Sequence, residues 1–586
     1  EAKSLVGKGA ERMSAAFEDV RAELLNRAKF ARVGADKKNL EEVARRLNQT
    51  AFIYTIGFNA SSALVNLSQI PLFVAPFLGG KHGYVKTYAA IKSAYGNTLL
   101  GGKRGGGTNS ILDFYDISDK GNFTLKKGLK LPEGKDVELR NMEALVQTAS
   151  QRGLLGQGFL AEAMGLNEAS RIKKSGTVGN AMDNASVLSA WLFNHAEQLN
   201  RQVTLMASFN LALDSITKGK VNNPSAAQIE EAVQMAIYDT QQTNGGTFLE
   251  TAPSIAREGI GRVAFMYKSY GLQMYYTMLK TAKTAFDSDK GKLFGPDGSP
   301  ERKAAWKQLI GLHGSALFFA GVQGLPLYGA VKLIANLFFL DDEEEDWDTI
   351  VRQHIGEGWY KGAITQFAGI DVASRMALTG LLIQENRFNN DPSLEETIGF
   401  YAGGPALSVA NRLYRGGSDL LSSEGDIERG IENILPAGVA NAYKATFGRY
   451  ADQGGIYTRR NDPIYDDMTG GELVAQAFGF PPTEYTFRQE QNGISKRIDI
   501  AVGKRRSALH KKLYVAQTMG DFSAEMEIYD EIDKFNARHP EAEINTKSIE
   551  RSLKQHAKTS AEMYNGVTLS PLYRDALEMI REGYKQ

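Results

Sequence analysis

Cysteine is missing altogether from these 586 residues. That absence excludes a disulfide scaffold, thiolate zinc sites, iron–sulfur ligation and a cysteine nucleophile. Net charge is missing too: 68 Lys and Arg face 68 Asp and Glu. A uniformly basic duplex-DNA binder is thereby excluded, although local basic patches are not. Proline is scarce, at 16, whereas the 60 glycines are about a tenth of the chain, against a usual share of about 7%. Many glycines with few prolines suggest helices interrupted by flexible joints, because glycine permits bends without fixing φ. Histidine is also sparse. The seven (His82, His195, His313, His354, His510, His539, His556) include no pair at helical spacing, so they form no metal face. No secretory leader is visible. A start at Glu1 is read as a processed product or a piece of a longer chain.

What is present is mainly helical. Apolar residues recur at steps of three and four, as in Ala35–Leu47 within an amphipathic stretch over 10–56. Alternating strand patterns are few. The fold expected is therefore mainly α, multi-helical and elongated, with glycine-rich breaks and one small irregular, β-capable insertion. The organisation expected is an N-terminal helical region (1–100), the insertion (101–140), a helical domain (141–285), an apolar hairpin with following helices (301–400), a Gly/Pro-punctuated region (401–490) and a charged helical tail (491–586). Gly101–Gly107 reads as a loop and Ser175–Asn184 as a breaker. A long helix is expected over Ala185–Ile216, Asn222–Pro224 should lead into another opening at Ser225, and a further helix spans 260–285. The polar stretch 286–300 is the clearest boundary.

Catalytic motifs are not found. There is no phosphate loop of the Gly-x-x-x-x-Gly-Lys type, no His-Glu-x-x-His and no nucleophile elbow. Gly101–Gly107 lacks the preceding strand that a phosphate cradle needs. Asp341–Asp346 suits a cation by charge alone, but it equally suits the positive end of the helix through Trp347. No cofactor and no metal is expected. The most apolar run, Ser315–Leu340, has the roughly 20 residues that a bilayer crossing requires, yet Gly324-Leu-Pro326 divides it. Two readings stand: a buried hairpin, or a segment that inserts in a membrane after rearrangement. Its membrane-facing candidates are Leu317, Phe318, Phe319, Leu325, Pro326, Leu337, Phe338 and Phe339. Ile70–Leu78, short and broken by proline, reads as a buried connector. Lys504, Arg505 and Arg506 lie where a helix could touch phosphate, or belong to a solvated, charge-balanced face. The aromatic string Phe265–Tyr276 could stack bases, or pack other helices.

Several of these residues, in order, resemble a known pattern. Phe58-Asn-Ala-Ser-Ser-Ala-Leu-Val-Asn-Leu-Ser-Gln-Ile-Pro71 is its first piece and Glu197-Gln-Leu-Asn-Arg201 its second. Arg262 with Phe265–Tyr276 follows, then Gly324-Leu-Pro326 with Asp341–Asp346. Next come Gly369-Ile-Asp-Val-Ala-Ser-Arg375, with its Ser displaced by one, and Gly404-Pro405, Leu435-Pro436, Tyr457-Thr-Arg-Arg460 and Gly471–Phe480. The chain resembles the helical region of the large internal virion proteins of short-tailed phages, which large polyvalent proteins of phages and conjugative elements share. The resemblance covers roughly residues 50–490. It implies a non-enzymatic protein packaged in the capsid, released with the genome, that helps build a conduit for DNA across the host envelope. The partners implied are copies of itself, other internal, portal or tail proteins, genomic DNA and the host inner membrane. Arg459 and Arg460 are candidate DNA or partner contacts, with an ordinary ion pair as the plainer account. The alternative is a non-catalytic accessory domain of a polyvalent protein that protects incoming DNA. A third reading, an unrecognised enzyme, would centre on Asp371 or Glu197.

Overall fold

A computed structural model describes residues 38–104, 110–118, 122–155, 177–244, 268–287, 299–329, 331–332, 335, 347–377, 394–422, 425–458 and 462–564. The Asp341–Asp346 run, Leu337, Phe338, Phe339, Arg459 and Arg460 lie outside the described residues, as do Arg262 and Phe265–Tyr267. The fold is mainly α and multi-helical, with two small two-stranded sheets. The chain divides into two compact units. The larger holds the described residues up to 331, then 351–377 and 394–488. The smaller holds 332, 335, 347–350 and 489–564.

The larger unit begins with α1 (Lys38–Thr55) and α2 (Ala60–Leu67). Asn59 opens α2 by accepting a hydrogen bond from the Ser61 amide, which satisfies an otherwise orphaned N–H. Beyond α2 the chain makes one π turn over Ile70–Val74, where the Ala75 amide reaches back to the Ile70 carbonyl, and enters α3 (Ala75–His82). Pro71 and Pro76 each lack the amide that an α ladder uses, which accounts for the wider turn. Ile70, Leu72–Ala75, Phe77 and Leu78 are buried, so the expected connector is found, in helical form. α4 (Tyr84–Arg104) then runs through Gly101–Arg104. The loop expected there therefore begins later than glycine content suggested: the helix continues over the first glycine pair.

The small hairpin is real. β1 (Tyr115–Ile117) pairs antiparallel with β2 (Phe123–Leu125), Tyr115 opposite Leu125. Two helices follow, α5 (Lys135–Asn141) and α6 (Glu143–Gln151). α6 secures the hairpin: Gln147 Oε1 accepts from the Phe123 amide at 2.9 Å and Glu143 Oε1 from the Leu125 amide at 2.9 Å. α7 (Thr177–Thr217) is longer than expected, since Thr177–Asn184 is helical and not a breaker. α8 (Ala226–Thr243) opens at Ser225 through a reciprocal capping box with Gln228, as the Asn-Asn-Pro-Ser sequence predicts. Helices α4, α7 and α8 enclose the main core, with Ile91, Ala94, Val203, Met206, Phe209, Val233 and Ile237 buried together.

Within this unit α9 (Lys268–Phe286) packs against α10 (Pro300–Ala320). α10 stops at Gly321, whose backbone (φ 68) and lack of Cβ both matter: a Cβ there would stand 2.1 Å from the Tyr360 carbonyl oxygen. The apolar run is interrupted from Gly321 through Pro326, as the Gly324-Leu-Pro326 sequence suggests. Its first part is the end of a helix that starts with Glu301, Arg302 and Lys303. α11 (Trp347–Ile355), α12 (Glu357–Lys361), α13 (Ala363–Ala368) and α14 (Ala373–Met376) follow. The larger unit closes with α15 (Leu394–Leu421), α16 (Ile427–Ile434), α17 (Ala437–Thr446), α18 (Arg449–Gln453), the ribbon β3 (Ile456–Tyr457)–β4 (Pro463–Tyr465) and α19 (Gly470–Ala477).

Besides 332, 335 and the first residues of α11 (347–350), the smaller unit is built from α20 (Thr483–Met519) beyond residue 488, α21 (Phe522–Arg538) and α22 (Thr546–Tyr564). Its core is Val502, Leu509, Leu513, Ala516, Ile528, Ile532, Phe535 and Ile544.

Candidate functional site: two polar seams in the larger unit

The buried polar residues of the larger unit are not scattered. Along α7 a row of them faces inward: Glu197, Asn200, Arg201, Gln202, Thr204 and Ser208. Glu197 and Arg201, one turn apart, pair at 2.5 Å. Asn200 Nδ2 donates to the Asn66 carbonyl at 2.6 Å and also approaches the Asn66 and Gln69 side chains. Gln69 Nε2 in turn donates to the Thr243 carbonyl at 2.6 Å and to Asn244 Oδ1 at 2.7 Å. One side-chain chain thus joins α2, α7 and the end of α8. One turn back along α8, Asp239 accepts from Ser208 at 2.7 Å and pairs with Lys81 of α3. Asn66 Nδ2, Asn200 Oδ1 and Asn244 Nδ2 are buried and find no hydrogen-bond partner among the described residues. Each such atom costs about 1–3 kcal/mol, so the seam holds more polarity than packing alone would keep.

The second seam is made of backbone. Ser61 donates its amide to the Phe478 carbonyl at 2.9 Å and its hydroxyl to Asn59 Oδ1 at 2.7 Å. Gly479, with φ 95, lies over this pair: a Cβ there would stand 2.7 Å from Ser61 Oγ and 2.9 Å from Asn59 Oδ1. Only glycine satisfies both the conformation and the space. The Arg375 guanidinium donates to the Gly479 carbonyl at 3.4 Å, and the Asp371 amide donates to the Pro481 carbonyl at 2.9 Å. Asp371 Oδ1 accepts from the Ser374 amide at 3.0 Å, opening α14. The Arg412 guanidinium ties the Tyr54, Glu432 and Leu435 carbonyls together.

Charge is handled within the same unit by two knots. Glu138 accepts from Lys135, Asn210, Asn97 and Ser93. Burial opposes its ionisation, but the Lys135 ammonium and the two amides outweigh burial and hold its carboxyl below the usual range. Glu432, buried, takes both arms of Arg449 at 2.8 and 2.6 Å. Lys444 stands 3.8 Å from it, and burial, offset by Glu432, pushes the lysine below its usual value.

These arrangements hold helices together; they do not assemble a nucleophile beside a base. Asp371 and Glu197 both sit in them, as a helix opener and as half of an ion pair. Among the described residues, no group of three or more His, Asp or Glu could hold a metal ion. The membrane-facing candidates divide: Phe318 is exposed, Leu317, Phe319, Leu325 and Pro326 are half-buried. The described stretch long and apolar enough to cross a bilayer is Ala60–His82, and it lies mostly in the core. Lys504 is exposed on α20, Arg505 is half-buried, and Arg506 reaches the Glu543 carbonyl at 3.4 Å, so that basic run has only one fully exposed member. Of the aromatic string, Met274 and Tyr275 are buried and Leu272 and Tyr276 are exposed.

Sequence reasoning missed Lys81, Asp239, Gln202, Glu432 and Arg449. Lys81 and Asp239 are 158 positions apart, so nothing local marks them. Glu197, Asn200 and Arg201 did carry a local signal, because steps of three and four place them on one helical face. No protein-family model, curated protein or solved structure matches the chain.

Proposed function

We propose that this chain is a non-enzymatic internal protein of a phage virion, packaged with the genome, released with it and used in the DNA conduit across the host envelope. One observation supports the reading above the others. The motifs that carry the resemblance are spread from residue 58 to residue 480, yet most of those described meet in the two seams: Asn59, Ser61, Asn66 and Gln69, then Asn200, Asp371, Arg375, Leu435 and Phe478–Gly479. A signature that serves to lock helices together suits a structural component. The absence of cysteine from a protein that must pass a narrow tail removes any covalent block to unfolding and rethreading. Copies of the chain, portal or tail proteins, DNA and the inner membrane are the partners of this reading. Phe318 and its neighbours are its lipid-facing residues, and Lys504 its exposed phosphate-facing one.

The test is peptide mass spectrometry of purified virions before and after DNA release. Peptides of this chain in full particles, depleted from emptied ones, are expected. Absence from virions sinks the reading and favours the accessory domain of a polyvalent protein. Retention in emptied shells sinks the conduit role.

A further inference from the structure

Helix α15 carries a pattern that its own chain does not use. Leu407, Ala410, Tyr414, Gly417 and Leu421 follow one another at steps of three and four, and the same steps lead back in the sequence to Gly403 and Phe400. This is a heptad seam. It is unusual in that one position is always large (Phe400, Leu407, Tyr414, Leu421) and the other always small (Gly403, Ala410, Gly417).

The seam faces outward. Leu407 is 45% exposed, Tyr414 77% and Leu421 89%. Ala410 is exposed as well. The adjacent face is already occupied: Val409 is buried, and Gly416 lies against α16, where a Cβ would stand 2.9 Å from the Gly430 carbonyl oxygen. Gly417 is the opposite case, since a Cβ there would meet nothing within 4 Å. A glycine within a helix is less favourable than alanine, because its backbone loses more freedom on folding. The fold explains that cost at Gly416 and leaves it unexplained at Gly417. Close approach of a second helix would explain both Gly417 and the uncovered large residues beside it.

We infer that α15 pairs antiparallel with the α15 of a second copy. The pattern selects both the partner and the direction. In an antiparallel helix pair the two core positions of the heptad face each other, whereas in a parallel pair each faces its own kind. Large then meets small at every layer only in the antiparallel arrangement, and a helix with this alternation is its own complement. The register that gives all three exposed large residues a small partner sets Leu407 opposite Gly417, Tyr414 opposite Ala410 and Leu421 opposite sequence position 403. Its two-fold axis passes at the level of Arg412, which makes a closed, isologous dimer. Leu407, Tyr414, Leu420 and Leu421 leave on the order of 500 Å² uncovered per copy, so two copies bring about 1,000 Å², the area a specific interface needs. Between residues 406 and 421 the one fully exposed charge is Arg415, beside the seam and not in it. This inference gives a surface to the self-association in the reading above, and it holds or fails independently of whether the protein resides in a virion.

The full chain lends itself to the test because it has no cysteine. Analytical ultracentrifugation should find a dimer at micromolar concentration. Leu407→Ala with Tyr414→Ala should weaken it by at least roughly thirtyfold, with an unchanged circular dichroism spectrum, since neither side chain is needed inside the fold. A short bismaleimide should link Ala410→Cys to itself across the two-fold axis. It should not link Gly417→Cys, whose copies lie roughly 15 Å apart along the pair in this register. A wild-type chain that stays monomeric at tens of micromolar overturns the proposal. So does a dimer indifferent to the double substitution, or a Gly417→Cys variant that links as readily as Ala410→Cys, which would mean a parallel pair.

Discussion

The larger unit around α7 and the smaller unit of α20–α22 are both helical, but they are held in different ways. Around α20–α22 the core is one apolar cluster, and the polar contacts between side chains and chain are short in range or exposed: Asn536 bonds the Ile544 carbonyl and amide at 3.1 and 2.7 Å, Gln517–Glu525 at 2.8 Å also spans eight positions, and Lys512–Glu531 at 2.9 Å joins exposed partners. In the larger unit apolar packing is threaded by buried polar side chains that join segments far apart in sequence. The contrast teaches what each kind of contact decides. Apolar area drives collapse without direction, while a buried amide or carboxylate must find a specific partner and so fixes which helices meet.

Four substitutions or conditions probe that contrast. The largest effect should come from Phe535→Ala, which empties a fully buried aromatic site at a cost of about 3–5 kcal/mol. Hydrogen exchange should accelerate in peptides from 495–564 and not in those of α7 and α8; acceleration in both would abolish the distinction. Next comes Asp239→Ala, which leaves Lys81 and Ser208 without their shared acceptor. About 2–4 kcal/mol should be lost, read as faster exchange in α3, α7 and α8 together. If loss stays within α8, the seam is not a joint between helices.

A smaller effect should follow from pH. Burial holds the His82 imidazole below its usual 6.5; Asp239 opposes this and Lys81 adds to it. The unfolded chain therefore binds the proton first. The contribution of His82 to stability is present above pH 6.5 and is lost as pH falls through the depressed folded value. His82→Gln should flatten the stability–pH curve of the larger unit over that range, as read by chemical denaturation; an unchanged slope means that other groups carry it. The smallest effect belongs to Lys512→Ala. Its pair with Glu531 is exposed, so the change should be within about 0.5 kcal/mol and should vanish in high salt. A larger loss would show that polar contacts matter as much in the smaller unit as in the larger.

Legibility in the sequence followed the range of the forces involved. Ser225 with Gln228 was readable as a helix start because a capping box closes within four residues. The 115–125 hairpin was readable as a break in helical periodicity. The extents of α4 and α7 were misjudged because glycine and polar content at Gly101–Arg104 and Thr177–Asn184 read as breaks, whereas both stretches are helical. The seams were partly visible as motifs, but their partnerships were not. Asn66 and Asn200 are 134 positions apart, and the Gln69 and Asn244 side chains 175.

By itself the sequence determined that the protein is helical, free of disulfides, neutral in charge and without recognisable catalytic motifs, because periodicity, residue type and capping act over a few residues. The tertiary structure alone decided which polar residues share one interior, why Gly479 and Gly321 must lack a side chain, and which face of α15 is left uncovered. Those are properties of segments brought together across a hundred or more positions, and no local pattern encodes where the chain returns.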